Sequence, residues 1–365
     1  GVCAVELALW DLAGKAYGVP VYQLLGGRFR EKVRLYADTH IEEGRATGIL
    51  MEPEKVGRIL KGYMDQGFTV VKILSVELLM AQEGNTCGPL DWVDELREVE
   101  EKVRQVTRTG TRAESSAANA LLYDFNRIPH PFTNMHVTEQ GLDQLDEYIG
   151  RVRSVIGTKV PLAIDHFGHF PLPDMIKIAR RLEKYHLAWL EDMLPWYLTD
   201  QYRELKHATT APIATGEDMY LAESFEPLLQ AGALDVVHPD LLTSGGILET
   251  KKLGDLAARY GASMALHMCE SPVSALAGAH MATASENFFA QEHDAFDSEW
   301  WQDLIIGPVK PIVKDGFTVI TDAPGLGIEG LNEDLIREHG PMKNKDVWVS
   351  TDEWNQETSL DRIWS

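Results

Sequence analysis

Six polar residues each follow a short apolar run from about residue 160 onward: Asp165 after "LAI", Glu191 after "LAWL", Glu217 just past "PIAT", Asp240 after "LDVVHP", His267 after "SMAL" and Glu292 after "FFAQ". They recur at intervals of about 25 residues, the length of one βα unit, so each falls at the same place in successive units. Asp165, Glu191 and Glu217 would then stand side by side on neighbouring strands. Carboxylates brought that close repel one another unless a divalent cation neutralises them, and an all-oxygen donor set with room for water and substrate suits Mg2+ better than zinc. Asp240 and His267 come next as a pair. A carboxylate bonded to one imidazole nitrogen fixes the tautomer and raises the basicity of the ring, which leaves the other nitrogen as a general base. Glu292, on the strand after these, could bond a substrate oxygen or be a buried structural acid. A cation facing a histidine base suits removal of the weakly acidic proton beside a carboxylate; a hydroxyl on the β-carbon would then leave as water.

These residues need a frame that brings six strand ends together. Short apolar runs alternate with segments such as "DMIKIARRLEKY" and "GGILETKKLGDLAARYG", whose apolar positions recur at three and four residues. That is the pattern of repeated βα units with a parallel sheet. Upstream, "VRLYAD" (33–38) and "TVVKIL" (69–74) read as two further strands, with "PEKVGRILKGYMDQG" as a helix between them. Eight strands close a (β/α)8 barrel of the TIM type, in which the active site lies at the strand C-termini. The rhythm breaks at about 75–137, an insertion after the second strand that contains the helix candidate "DWVDELREVEEKVRQV" and the loop "DFNRIPHPFTN". An insertion there would overhang the site, which makes His130 and Arg127 candidate substrate contacts. After Glu292 the pattern predicts a hairpin around Asp315-Gly316 and then an acidic tail.

Composition narrows the partners. The 365 residues are 44% hydrophobic and 25% charged, normal for a globular protein, and no apolar run approaches the ~18 residues of a membrane span. The formal net charge of -22 repels a nucleic-acid backbone, so the expected partner is a small molecule. An anionic one needs a local cation. Cys3, Cys87 and Cys269 are few and far apart, which fits a reducing compartment and argues against structural zinc. With no export or membrane signal read, the expected location is the cytoplasm.

The same residues resemble the enolase superfamily, most closely its mandelate racemase-like sugar-acid (aldonate) dehydratases. The resemblance begins at "ALWDLAGKAYGVPVYQLLGG" and runs through Asp165, "WLED", "TGED", "HPDLLTSGGI", "ALHM" and Glu292. It implies an enolase-type modified barrel over 31–300, preceded at 1–30 by the last helix of a cap domain that is otherwise largely absent, and followed at 301–365 by a hairpin and tail packing back toward the cap. By resemblance Asp165, Glu191 and Glu217 are Mg2+ ligands, Asp240 and His267 the base dyad, Glu292 a substrate-contacting acid, and the assembly a homo-oligomer. Two positions depart from the family pattern. Racemases usually carry Lys-x-Lys on the second strand, and here Lys72 is followed by Leu74, which favours one-base elimination over racemisation. Similar aldonate dehydratases often place an acid histidine two residues past the first metal aspartate, where this chain has Phe167. The general acid then falls to His169, which can fold back over the mouth past Gly168, with His166 in reserve. The alternatives are an epimerase, racemase or cycloisomerase of the same superfamily, or a non-catalytic barrel that binds sugar acids. "GLGIEG" (325–330) matches a dinucleotide fingerprint only in spelling, because too little chain follows it for a βαβ unit.

Overall fold

The computed structural model describes residues 1–39, 52–74, 84–87, 136–165, 170–307 and 310–339, with short pieces between 98 and 106. Eight parallel strands form a closed barrel: β1 (Lys32–Asp38), β2 (Val71–Leu74), β3 (Leu162–Asp165), β4 (Leu190–Glu191), β5 (Ile213–Thr215), β6 (Val236–Val237), β7 (Ser263–Leu266) and β8 (Phe288–His293). Each pairs with the next in sequence, and β8 closes on β1 with Tyr36 opposite Glu292. The strands are short and apolar because helices cover the outside while side chains fill the inside, leaving neither face to water.

The helices follow the three-and-four spacing. The helix after β3, Leu172–Leu182, opens on a proline in its first turn and buries Met175, Ile178, Ala179 and Leu182 on one face. Burying each large side chain of that stripe contributes about 1.5–3 kcal/mol. The helix before β3, Glu139–Ile156, is capped by Thr138, whose hydroxyl accepts from the Gly141 amide. The helix after β6, Ile247–Arg259, takes its cap from far away: Glu6 on the N-terminal helix Val2–Tyr17 accepts from the Ile247 and Leu248 amides at 2.9 and 3.1 Å. That carboxylate satisfies orphan donors at a positive helix end and fastens the first helix to the barrel. Leu7 on the same helix is buried, while Val5, Leu9 and Leu12 are exposed.

Inside the barrel, period-two alternation creates layers. Directly below the mouth, two residues back from most of the polar tips, stand Tyr36, Val70, Ala163, Trp189, His238, Ala265 and Ala290. Alanines at three of these positions leave room for the rings of Tyr36, Trp189 and His238. Tyr36 and Trp189 meet edge to face at 5.4 Å and His238 lies 6.0 Å from Trp189, so the floor of the mouth is a packed polar-aromatic layer.

The expected hairpin is present. Val313–Lys314 and Phe317–Val319 pair antiparallel through Asp315 and Gly316, both at positive φ (52° and 72°), the backbone of a two-residue turn. Its second strand also pairs antiparallel with β1, so the hairpin extends the barrel wall outward. The "GLGIEG" stretch packs on the first helix: the Gly325 amide donates to Val19, Asp11 accepts from Leu326, and a Cβ on Gly14 would stand 2.6 Å from the Gly325 Cα. Among the described residues no helix is long and apolar enough to cross a membrane, and Cys3, Cys87 and Cys269 are free. The helix expected over 91–106 is described only in pieces, helical where described. The loop expected over 124–134 lies outside the described residues.

Two buried histidines away from the mouth make stability depend on pH. His280 stacks on Tyr22 and its Nδ1 accepts from the Tyr22 amide; His293 stacks on Phe68. Burial pushes both imidazoles down to about 4. Between that value and an unfolded value of about 6.5 the unfolded chain binds more protons, so this stability is present above pH 6.5 and is lost as pH falls toward 4, at about 1.4 kcal/mol per pH unit for each histidine. Urea midpoints measured across that window should therefore fall with pH, and the slope should be shallower in His293→Phe; an equal slope in variant and wild type would remove His293 from the account.

Candidate active site at the barrel mouth

The strand ends bring seven of the residues singled out from sequence to one place. Asp165 and Glu191 are the last residues of β3 and β4, Glu292 lies near the end of β8, and Lys72 lies on β2 with its backbone beside Ala163. Glu217 follows β5 by two residues, past a turn at Gly216 with φ 145°, where a Cβ would stand 2.5 Å from the Phe225 ring. Only glycine fits that turn, so the carboxylate is delivered to the mouth by backbone geometry. Asp240 and His267 form a parallel bridge just beyond β6 and β7.

Lys72 points into the barrel and is about 1% exposed. Its ammonium lies 2.7 Å from Asp165 Oδ2, 2.8 Å from Glu292 Oε1, 3.2 Å from Glu191 Oε1 and 4.0 Å from Asp38 Oδ2, with the Tyr36 ring 5.6 Å away. Burial by itself would strip the proton, but Asp165, Glu191 and Glu292 hold the lysine well above its ordinary range. The partners respond in kind. Burial alone would raise Glu191 and Glu292; His238 and Lys72 hold the first, and Lys72 and His267 the second, below the ordinary carboxylate range. A charge this deep is tolerable only when paired and hydrogen-bonded. From sequence Lys72 is a candidate for offsetting substrate charge; in the structure it offsets the chain's own carboxylates.

The dyad is explicit. His267 Nδ1 is 2.6 Å from Asp240 Oδ2, and Asp240 Oδ1 accepts from the Leu242 and Thr243 amides, which orients the carboxylate. Because Asp240 accepts only, Nδ1 carries a proton and Nε2 is the nitrogen left facing the pocket, 3.6 Å from Glu217 Oε2 and 3.8 Å from Glu292 Oε2. Burial would lower this imidazole, but Glu217, Glu292 and the Asp240 hydrogen bond hold it well above the histidine range. Glu292 also accepts from the Met268 amide at 3.1 Å, so it is built into the strand ends as well as facing the pocket.

Donor atoms suited to a cation converge on Glu191. Its carboxylate groups within 4.8 Å with Asp165 and Asp192, and again with Glu217 and His238. Such oxygen-rich surroundings fit a hard divalent ion. The sequence reading missed several neighbours. Asp38 ends the first strand and is buried against Lys72. Tyr36, Trp189 and His238 form the layer beneath. Glu270, three residues past His267, is hydrogen-bonded to Asp240, and burial with that neighbour pushes it up to about 8. The signal for the lower layer was available: two residues back from Asp38, Glu191 and Asp240 stand the only large rings in an otherwise small-residue set. His166, His169, His130 and Arg127 lie outside the described residues.

Comparison with known proteins places this geometry. Residues 130–335 match the enolase C-terminal domain-like family, and residues 2–26 match the mandelate racemase/muconate lactonizing enzyme N-terminal domain. A D-xylonate dehydratase of Haloferax volcanii is 29% identical over 338 residues, covering 93% of this chain and 69% of that protein. A D-gluconate/D-galactonate dehydratase of Picrophilus torridus is 26% identical over 353 residues, covering 95% and 74%. The crystal structure of a mandelate racemase/muconate lactonizing enzyme-like protein from Rubrobacter xylanophilus superposes with a TM-score of 0.72 at 30% identity, covering 93% of this chain and 76% of that one. Barrel, mouth and matched segments agree, and the chain belongs to the enolase superfamily, with domains of the mandelate racemase/muconate lactonizing enzyme kind.

Proposed function

We infer that the chain is a Mg2+-dependent dehydratase of a sugar acid of the aldonate type, a hydro-lyase. The observation that carries this reading is the Asp240–His267 pair, with Nδ1 fixed at 2.6 Å and Nε2 directed into a pocket of carboxylates. The relatives named as D-xylonate and D-gluconate/D-galactonate dehydratases support the substrate class.

Asp165, Glu191 and Glu217 would hold the cation. When bound, it supplies positive charge to the oxygens of a substrate carboxylate and offsets the field that keeps His267 protonated. The rest falls to side chains. His267 Nε2 takes the proton from the carbon beside the carboxylate, while Asp240 stabilises the imidazolium that results. Lys72 supplies positive charge at the floor of the pocket, and Glu292 offers an oxygen toward a substrate hydroxyl. The β-hydroxyl leaves as water after protonation by His169, or by His166 in reserve, and the enol product tautomerises to a 2-keto-3-deoxy acid. A single-base elimination fits the second strand, where Leu74 offers no nitrogen two residues past Lys72.

Supplying D-xylonate, D-gluconate and D-galactonate with Mg2+ should give a 2-keto acid from at least one of them; no product from any acid of a broad aldonate panel would refute the reading. His267→Asn should lower kcat by about 10²–10⁴-fold with Mg2+ binding preserved, and an unchanged rate would remove His267 from the mechanism. Lys72→Met leaves Asp165, Glu191 and Glu292 without their shared ammonium. In EDTA it should cost about 3–5 kcal/mol by urea unfolding. Millimolar Mg2+ should recover part of that loss, and a variant equally unstable with and without Mg2+ would count against a cation at these carboxylates.

A further inference from the structure

Glu191 is the carboxylate shared by both candidate donor groups, so its orientation governs whether the others can act together. The side chain is fully buried, and three nitrogens from below and beside it approach its two oxygens. Trp189 Nε1 donates to Oε2 at 2.6 Å, while Lys72 Nζ lies 3.2 Å and His238 Nδ1 3.1 Å from Oε1. Lys72 is divided among several carboxylates. His238 is not: its other nitrogen, Nε2, lies 2.8 Å from the Tyr36 hydroxyl, and both side chains are fully buried.

A carboxylate accepts and does not donate, so the nitrogen beside Glu191 carries a proton, while Nε2 shares a hydrogen bond with the Tyr36 hydroxyl. Nδ1 has no aligned hydrogen-bond partner among the described residues, and Glu191 Oε1 is the acceptor it approaches. A buried ring nitrogen without a partner is costly, which favours keeping the Glu191 carboxylate turned toward it. The alanines of the same layer let the ring reach across the floor, and Tyr36 and Trp189 pack against it so that it cannot turn away.

We propose that His238, backed by Tyr36, is a positioning residue that acts through Glu191 and sets the affinity of the mouth for its divalent cation. The inference rests on the reading of Asp165, Glu191 and Glu217 as cation ligands. Partners that orient a ligating side chain commonly matter by 10- to 100-fold in metal affinity. Here the orienting atoms come from two other strands, β1 through Tyr36 and the end of β6 through His238, so the floor layer couples the ligand to the barrel frame.

The test is Mn2+ binding to the chain, followed by electron paramagnetic resonance and by competition with Mg2+, for wild type, His238→Leu, His238→Asn and Tyr36→Phe, each checked for a wild-type circular dichroism spectrum. His238→Leu should bind Mn2+ about 10- to 100-fold more weakly. His238→Asn, whose amide N–H can stand where Nδ1–H does, should recover most of that loss, a rescue that a merely space-filling role would not show. Tyr36→Phe, which removes only the far hydrogen bond, should fall between wild type and His238→Leu, and it keeps the question open to measurement if His238→Leu does not fold. Binding within twofold of wild type in both His238→Leu and Tyr36→Phe would overturn the inference and leave the proposed function standing. Wild-type chain that takes up no Mn2+ would overturn both. A nitrogen coupling to bound Mn2+ in wild type that vanishes in His238→Leu would make His238 a ligand and overturn the positioning role.

Discussion

Negative charge buried at the mouth of the barrel is the constraint on which the rest of the structure depends. Asp38, Asp165, Glu191, Glu217, Asp240 and Glu292 are all buried there, and among the described residues Lys72 is the one lysine buried with them. Desolvating carboxylates is costly, and placing them next to one another adds repulsion. The arrangement persists because donors are built in among the carboxylates: the Lys72 ammonium, the indole of Trp189, the imidazole of His267, and the backbone amides of Leu242, Thr243 and Met268, with the His238 ring lying against Glu191. Such a network is tolerable on a rigid frame, where donors cannot drift away from their acceptors.

The barrel supplies that rigidity by layers. Period-two alternation sends Asp38, Glu191 and Asp240 to the mouth and Tyr36, Trp189 and His238 to the floor beneath them. The two layers are therefore linked by covalent geometry along each strand as well as by hydrogen bonds between strands. A change in the floor reaches the mouth without touching any residue that faces the pocket. The small residues at 163, 265 and 290 matter in the same way, because their lack of bulk is what allows three rings to share one cross-section.

Outside the barrel, the elements that hold the frame closed are tied by single well-placed groups. Glu6 caps a helix more than two hundred residues away in sequence, and the close approach of Gly14 and Gly325 lets the C-terminal segment lie against the first helix. The hairpin beyond β8 adds its second strand to β1, the strand on which the barrel closes. The hairpin turn has a local sequence pattern, but none of these three contacts does; each depends on residues that meet only when the barrel is complete.

What the sequence by itself determined is the periodic part. Apolar runs of strand length, helices with a three-and-four stripe, and one polar residue at each run's end repeat at a constant interval, so the eight-stranded barrel and the meeting of Asp165, Glu191, Glu217, Asp240, His267 and Glu292 were legible before any coordinate. The Asp315-Gly316 turn was legible for the same local reason, since its backbone conformation selects its residues. Tertiary structure alone decided what each of those residues faces. Lys72 reads on paper as a charge for substrate, and its inward position among three carboxylates of the chain depends on strands 93 to 220 residues away in sequence. His238 reads as part of "HPD", and only barrel closure brings it between Tyr36 and Glu191. Periodicity is a property of neighbours along the chain, whereas the partner of a buried charge is chosen by the strand that packs opposite it.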